Sequence, residues 1–340
     1  MARGVPCLHM RRIALYSMAW RQTNPQRPRD VFSLTLPLSV PGNACPRIYN
    51  EPRLPFKLQP SMKKVFKKVA KPTIVPLMLA VGRLGELHSE EGEFPFQIVT
   101  HRDNLVKMGA DDGKWEVGVQ RLDGILYLRY YRDKERVDLS DVKYQFRRQC
   151  TGRQVDRSFD DDYRSVLLAS TIRIGNFKIL METEIDAVDR DTPSLAKQLM
   201  VEVDIAKRWP IPQGSYRWLQ MFLGGIDRLY IGVRDKCARV KTIHDADIDA
   251  LVDDCGKRAA MSRLQLCLEY MNENVDEGKF YVYRSSKLPH QPPELEEVDP
   301  DSGTPASMDM LEKVAERTHD AAWQATQERR RRLSRIPDSV

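Results

Sequence analysis

The chain lacks most of the signatures that announce a chemistry outright. It has no Gly-x-x-x-x-Gly-Lys-Ser/Thr, no Gly-x-Gly-x-x-Gly and no His-Glu-x-x-His run. A phosphate loop, a dinucleotide fold and a zinc-protease helix are therefore not encoded in their usual form. The six cysteines (Cys7, Cys45, Cys150, Cys237, Cys255 and Cys267) are scattered without a Cys-x-x-Cys pair. That spacing supports neither a zinc ribbon nor a disulfide framework and fits a reducing compartment. The longest apolar stretch, Ile74 to Gly82, is short and broken by Pro76, well below the ~20 residues of a spanning helix, so no membrane partner is expected. With 18 glycines and 21 prolines in 340 residues, the chain is neither fibrous nor mainly low-complexity. Acids are absent from residues 1–29, which carry six arginines. Such a start reads as a mitochondrial leader, a disordered arm, or an extension from an upstream start codon. No internal repeat is present.

What remains is rich enough to fold. Hydrophobic residues make up 41% and charged residues 30% of the chain, enough to bury the core of one large domain or two small ones. The net charge of +6 permits a nucleic-acid partner without demanding one. Residues 30–75 are punctuated by proline and read as extended or irregular chain, with a basic, solvated helix face at Met62 to Val69. Strands are expected at Phe96 to Thr100, on both sides of an Asp123-Gly124 turn, at Phe177 to Asp186, at Leu199 to Ile205, at Leu229 to Val233 with Ala238 to Ile243, and at Phe280 to Tyr283. Gly214 to Leu223 reads as a helix stopped by Gly224-Gly225. Residues 246–271 read as helix interrupted at Gly256. The organisation is a basic, Pro-rich, partly disordered extension over 1–75 and a globular domain over 76–286. An acidic, Pro-rich linker over 287–306 and a C-terminal helix over 307–340 with a basic end at Arg329 to Arg332 follow. Strands and helices are mixed rather than strictly alternating, so the fold class is α+β with a mixed sheet.

The sharpest local feature is acidic. Glu184-Ile185-Asp186 ends one expected strand and Glu202-Val203-Asp204 lies on the next. Alternate strand residues share a face, so neighbouring strands would gather four carboxylates. These repel one another unless a cation sits among them. Hard oxygen ligands suit Mg²⁺ or Mn²⁺, and two such ions can support phosphodiester or pyrophosphate cleavage. The alternative is two strands with solvent-facing acids, but the apolar neighbours Met181, Ile185, Val201 and Val203 point to burial. Arg102, in His101-Arg102-Asp103 after a strand, offers a bidentate grip on phosphate or a salt bridge to Asp103. His244, before Asp245, reads as a solvated turn residue.

Four blocks then line up in order. Ile98 to Leu105 looks like a Val-Thr-x-Arg-Gly block, Glu184-Ile185-Asp186 like Glu-Φ-Asp, and Val201 to Asp204 occupies a Glu-Φ-Lys block. Trp218 to Gly225, running into Ile231 to Asp235, is similar to Gln-Ser-Phe-Leu-x-Gly and Gly-Phe-Arg. From about Phe94 to Ser286 the chain resembles the DXO-type decapping nucleases, which remove defective or non-canonical 5′ caps from RNA. The resemblance implies two twisted mixed β-sheets with flanking helices, like the PD-(D/E)XK nuclease core. It also implies two Mg²⁺ or Mn²⁺ ions held by Glu184, Asp186, Glu202 and the Val203 carbonyl, with the three acids catalytic. RNA 5′ ends would be held by Arg102 and Gln220, with His101, Asp103 and Asp204 beside them. The implied function is hydrolysis of triphosphate, unmethylated or NAD caps in RNA quality control and mRNA decay, in nucleus or cytoplasm, or in mitochondria if residues 1–29 are a leader. Two positions depart from the pattern: Asp204 stands where the family has Lys, and Arg147, in Lys143-Tyr144-Gln145-Phe146-Arg147, where it has Glu. The second expectation is therefore a catalytically impaired member that binds 5′ ends, or an adaptor acting on a protein partner through the C-terminal helix.

Overall fold

The computed structural model describes residues 10–21, 31–35, 48–58, 66–70, 74, 77–78, 81, 96–110, 113–130, 134–138, 142–151, 165–189, 198–212, 214–286 and 292–298. The strands are β1 (Met10–Arg21), β2 (Val31–Thr35), β3 (Phe56–Lys57), β4 (Phe66–Ala70) and β5 (Ile98–His101). Next come β6 (Glu116–Leu122), β7 (Ile125–Tyr130), β8 (Lys134–Asp138), β9 (Ser165–Ile174) and β10 (Phe177–Ile185). The last are β11 (Ala187–Val188), β12 (Met200–Ala206), β13 (Arg228–Arg234), β14 (Arg239–Ala246), β15 (Phe280–Arg284) and β16 (Glu294–Glu297). Helices α1 (Arg102–Ala110), α2 (Val142–Cys150), α3 (Ser215–Gly224) and α4 (Asp254–Asn274) bear on the site.

Pairing builds a nine-stranded sheet in the order β16-β15-β6-β7-β5-β10-β9-β1-β2, a five-stranded sheet in the order β11-β12-β13-β14-β3, and a β4–β8 ribbon. Strand β5 runs parallel to β7 and β10, and β12 runs parallel to β13; the other pairs are antiparallel. Two mixed sheets with helices against them make an α+β fold, as expected. The main core lies where one face of the large sheet, α1, α3, α4 and one face of the small sheet meet. On β10, Ile179, Met181 and Ile185 enter that core, while Leu180 joins a second cluster with Tyr16, Tyr127 and Leu167 on the opposite face. Burying such side chains is worth about 1.5–3 kcal/mol each, so β10 is anchored from both sides.

Several expectations hold and several are corrected. Asp123 and Gly124 both have positive φ (50° and 74°), the two-residue turn whose twist matches a hairpin. Helix α3 ends at Gly225 in the left-handed region, as the Gly224-Gly225 stop signal implied. Gly256 does not break a helix. It lies in the first turn of α4, where its N–H donates to the Asp253 cap at 2.7 Å; the apolar residues before it belong to a separate 3-10 turn at Asp249–Leu251. The basic stretch at Met62 to Val69 is not a helix where described: Phe66–Ala70 pairs with β8. The stretch read as a linker contributes β16, an edge strand on β15. The N-terminal extension supplies β1, paired with β9 inside the large sheet. The expected helix over 307–340 lies outside the described residues. Among the described residues, no helix is long and apolar enough to cross a membrane.

Candidate functional site

The small sheet has an open edge. Among the described residues, strand β11 pairs only with Met200 and Val201, so beyond Val201 the outer backbone groups of β12 have no described strand partner. Buried backbone groups must still find partners. Val203 finds both in side chains: its N–H donates to Asp186 Oδ2 at 2.9 Å, and its carbonyl accepts from Arg147 Nε at 3.3 Å. Asp186 comes from the first residue after β10, so the acidic strands do meet, but not as neighbours in one sheet. β10 lies in the large sheet and β12 in the small one, and the contact crosses the junction between them.

Arg147 organises this junction. Its Nε lies 3.1 Å from Asp186 Oδ2 and its Nη2 3.0 Å from Glu202 Oε1. Burial alone would lower the guanidinium's pKa, but Asp186, Glu202, Glu184 and Asp204 together hold it above its ordinary value. Glu202 shows the other side of the same balance. Burial and then Asp186 push its carboxyl up, while Arg147, Arg102 and Lys143 pull it down, and the net direction is upward. Asp204 forms a separate group on β12: Lys143 Nζ lies 3.2 Å from Oδ1 and Arg217 Nη2 2.6 Å from Oδ2. Lys143 and Arg147 are four apart on α2 and so share a face. The helix can lie this close because Gly232 on β13 has no side chain; a Cβ there would stand 2.5 Å from the Phe146 ring.

Arg102 opens α1 and is almost fully buried. Its Nε donates to Asp103 Oδ1 at 3.3 Å, the salt-bridge alternative read from the sequence, while Nη1 is buried with no hydrogen-bond partner among the described residues. Burial would lower its pKa, yet Asp103 and Glu202 raise it, which places Arg102 within the field of the β12 acids. Burial works against ionisation of Asp103, but Arg102 and a 3.1 Å hydrogen bond from Tyr130 hold its carboxyl below the usual range. His101 turns away to its own cluster: Nδ1 lies 3.0 Å from Glu182 Oε1, Tyr16 donates to Glu182 Oε2, and the imidazole stacks on Tyr130 at 5.1 Å.

The structure thus gathers Asp186, Glu202 and the Val203 carbonyl around one point, with Arg102 and Asp103 beside them. Glu184 is exposed rather than buried with Asp186, although its charge still acts on Arg147. Gln220 is half-buried on α3, and among the described residues no hydrogen bond ties it to the acids. Sequence reasoning missed Glu182, Lys143 and Arg217. The first is the opening acid of Glu182-Thr183-Glu184-Ile185-Asp186, and the second sits four residues before Arg147; both spacings were legible.

Two mixed sheets with buried acids at their junction define a nuclease-type α+β protein. The chain belongs to the RAI1 like PD-(D/E)XK nuclease family, whose profile it matches over residues 38–301. This agrees with the resemblance to the decapping nucleases. Among solved structures it is similar to S. pombe Rai1, with 17% identity, a TM-score of 0.63, and coverage of 88% of this chain and 97% of that one. It is similar to Candida albicans Rai1 in complex with pU5-Mn²⁺, with 16% identity, a TM-score of 0.59, and coverage of 88% and 94%. It is also similar to Scheffersomyces stipitis Rai1 in complex with (3′-NADP)⁺ and calcium ion, with 15% identity, a TM-score of 0.62, and coverage of 88% and 92%. No curated protein sequence matches the chain.

The residues present do not fit the divalent ion that this family implies. Ligands at Asp186, Glu202 and the Val203 carbonyl are all engaged by the Arg147 guanidinium at 3.0–3.3 Å. An ion bound to the same atoms at the ~2.1 Å of Mg²⁺ ligands would need the volume that the guanidinium fills. Arginine stays charged under all ordinary conditions, so it does not step aside by losing its proton. Among the described residues, no group of three or more His, Cys, Asp or Glu side chains is arranged to hold a metal. The carboxylates do require a cation, as their clustering predicts, and Arg147 supplies it.

Proposed function

We propose that this chain binds the 5′ ends of RNA as a catalytically impaired member of the decapping-nuclease family. The observation that carries this reading is the Arg147 guanidinium bridging Asp186, Glu202 and the Val203 carbonyl. Arg102 is the phosphate-gripping residue of this reading, since it lies within the field of Glu202 and an arginine fork matches phosphate oxygens. The Candida albicans relative solved with pU5 supports a single-stranded 5′ end as the ligand. RNA quality control in the nucleus or cytoplasm is the setting this reading implies.

The second reading is metal-dependent hydrolysis of triphosphate, unmethylated or NAD caps, with Mg²⁺ or Mn²⁺ on Asp186 and Glu202. The convergence of two carboxylates and a carbonyl favours it, and it requires Arg147 to withdraw. A 5′-end release assay decides between the two, with RNA carrying triphosphate, unmethylated cap, methylated cap, NAD cap or monophosphate, in Mg²⁺ and then Mn²⁺. Binding without release is the expected result. Metal-dependent release that disappears in Glu202→Ala would establish the hydrolase. Loss of all RNA binding would remove both readings.

A further inference from the structure

The candidate site lies at the edge of a sheet whose face continues past it. Asp204 on β12, Ile231 on β13 and His244 on β14 stand directly opposite one another in register. Opposed residues project from the same face, so His244 shares the face that carries Asp204 and its partner Arg217. Two strand spacings of about 4.8 Å separate them, or about 10 Å. His244 is not in a turn, as its neighbour Asp245 suggested in the sequence; it sits inside β14, with Nε2 3.0 Å from Thr242 Oγ1.

Over that face lies an aromatic pair. β12 ends at Ala206 and runs into Lys207, Arg208 and Trp209, all exposed. The Trp209 indole stacks on the His244 ring with centroids 4.4 Å apart and planes 5° from parallel. Trp115 and Trp218, by contrast, are 5% and 0% exposed, whereas Trp209 is 40% exposed. An indole held flat on an imidazole and left 40% exposed is a surface on which a further planar group can stack. Lys207 and Arg208 beside it have no carboxylate partner among the described residues. The cations select a polyanion, the flat indole selects a π-faced ligand, and a single-stranded nucleic acid offers both.

We propose that Trp209 on His244, with Lys207 and Arg208, is a base-stacking subsite for single-stranded RNA downstream of the bound 5′ end. It deepens the 5′-end reading and rests on it. At ~3.4 Å per stacked nucleotide, even the ~10 Å from Asp204 to His244 takes about three nucleotides, and Ile231 between them is fully buried, so the strand passes around that position and needs no fewer. A dinucleotide is therefore too short to reach the stack and a hexanucleotide is long enough.

The test measures Kd by calorimetry for the full chain with 5′-monophosphate diuridylate and hexauridylate. Trp209→Ala is expected to weaken the hexanucleotide about 5- to 150-fold, the range set by base–aromatic stacking, and to leave the dinucleotide within about twofold. Trp209→Phe is expected to keep most of the hexanucleotide affinity, which also shows that the variant fold is intact. Wild-type fluorescence should be quenched by the hexanucleotide and not by the dinucleotide. If the wild type binds both RNAs and Trp209→Ala changes neither, or weakens both equally, the subsite is wrong and the 5′-end reading stands. If the wild type binds neither, the 5′-end reading fails and takes the subsite with it.

Discussion

At the scale of single residues, the site is a charge arrangement that one side chain completes. Removing Arg147 leaves Asp186 and Glu202 facing each other with their side chains 7% exposed. Breaking a fully buried pair costs about 3–5 kcal/mol; the 30% exposure of the Arg147 side chain brings the expected loss for Arg147→Ala to about 2–3 kcal/mol. Denaturant titration checks this. Millimolar Mn²⁺ is expected to recover stability in the variant and to leave the wild type unchanged, and the same gain in both proteins would contradict the assignment. Asp103 provides the pH test. Its carboxyl is held below the ordinary value by Arg102 and Tyr130, against burial, so its contribution is present above the unfolded pKa of about 4. That contribution disappears as pH falls through the folded value. Asp103→Asn should therefore be less stable than wild type at pH 7, and the gap should close as pH falls through that lowered folded value.

At the scale of elements, α2 has to lie close to the small sheet for Arg147 to reach the β12 edge. Gly232→Ala puts a Cβ 2.5 Å from the fully buried Phe146 ring, which has nowhere to move. Overpacking of this kind costs about 1–3 kcal/mol. The variant is expected to lose that stability and also to bind 5′-monophosphate RNA more weakly, as chemical denaturation and calorimetry would show. Much of this level was legible in the sequence. Glu184-Ile185-Asp186 and Glu202-Val203-Asp204 marked the strands that meet, because acids such as Asp186 and Glu202 buried among Met181, Ile185 and Val201 need a reason. Arg147 and Asp204 were visible as a sign reversal, but the sequence did not say that a guanidinium would occupy the point between the carboxylates. Partition of β10 and β12 between two sheets was not legible either. Alternation fixes which face a residue takes, and the long-range pairing that assigns strands to sheets leaves no local trace.

On the scale of the whole molecule, residues read as an appendage prove structural. β1 carries Tyr16, fully buried, and Arg12, which donates to the carbonyls of Gln198 at 2.6 Å and Gly225 at 2.9 Å and pairs with Asp227 at 2.6 Å. Asp227 in turn accepts from the Met200 N–H at the start of β12, so Arg12 ties the large sheet to the small one. Deleting residues 1–29 removes that tie, strips β9 of a partner and leaves Glu182 without the Tyr16 hydroxyl. The truncated chain is expected to lose cooperative unfolding in a thermal melt; an unchanged melt would show that β1 is dispensable. A basic, acid-free composition concealed this role because strand membership depends on Leu15 and Tyr16 finding the core. Average charge carries no such information.

A bound ion exchanges with its surroundings, and its occupancy follows supply. The cation of this site is a covalent part of α2, Val142–Cys150, and does neither. Its charge is thus supplied by the chain itself rather than by a pool of free ions. Whatever switches such a site must displace that guanidinium, by its rotamer or by its helix, so control here becomes a matter of mechanics rather than of ion concentration.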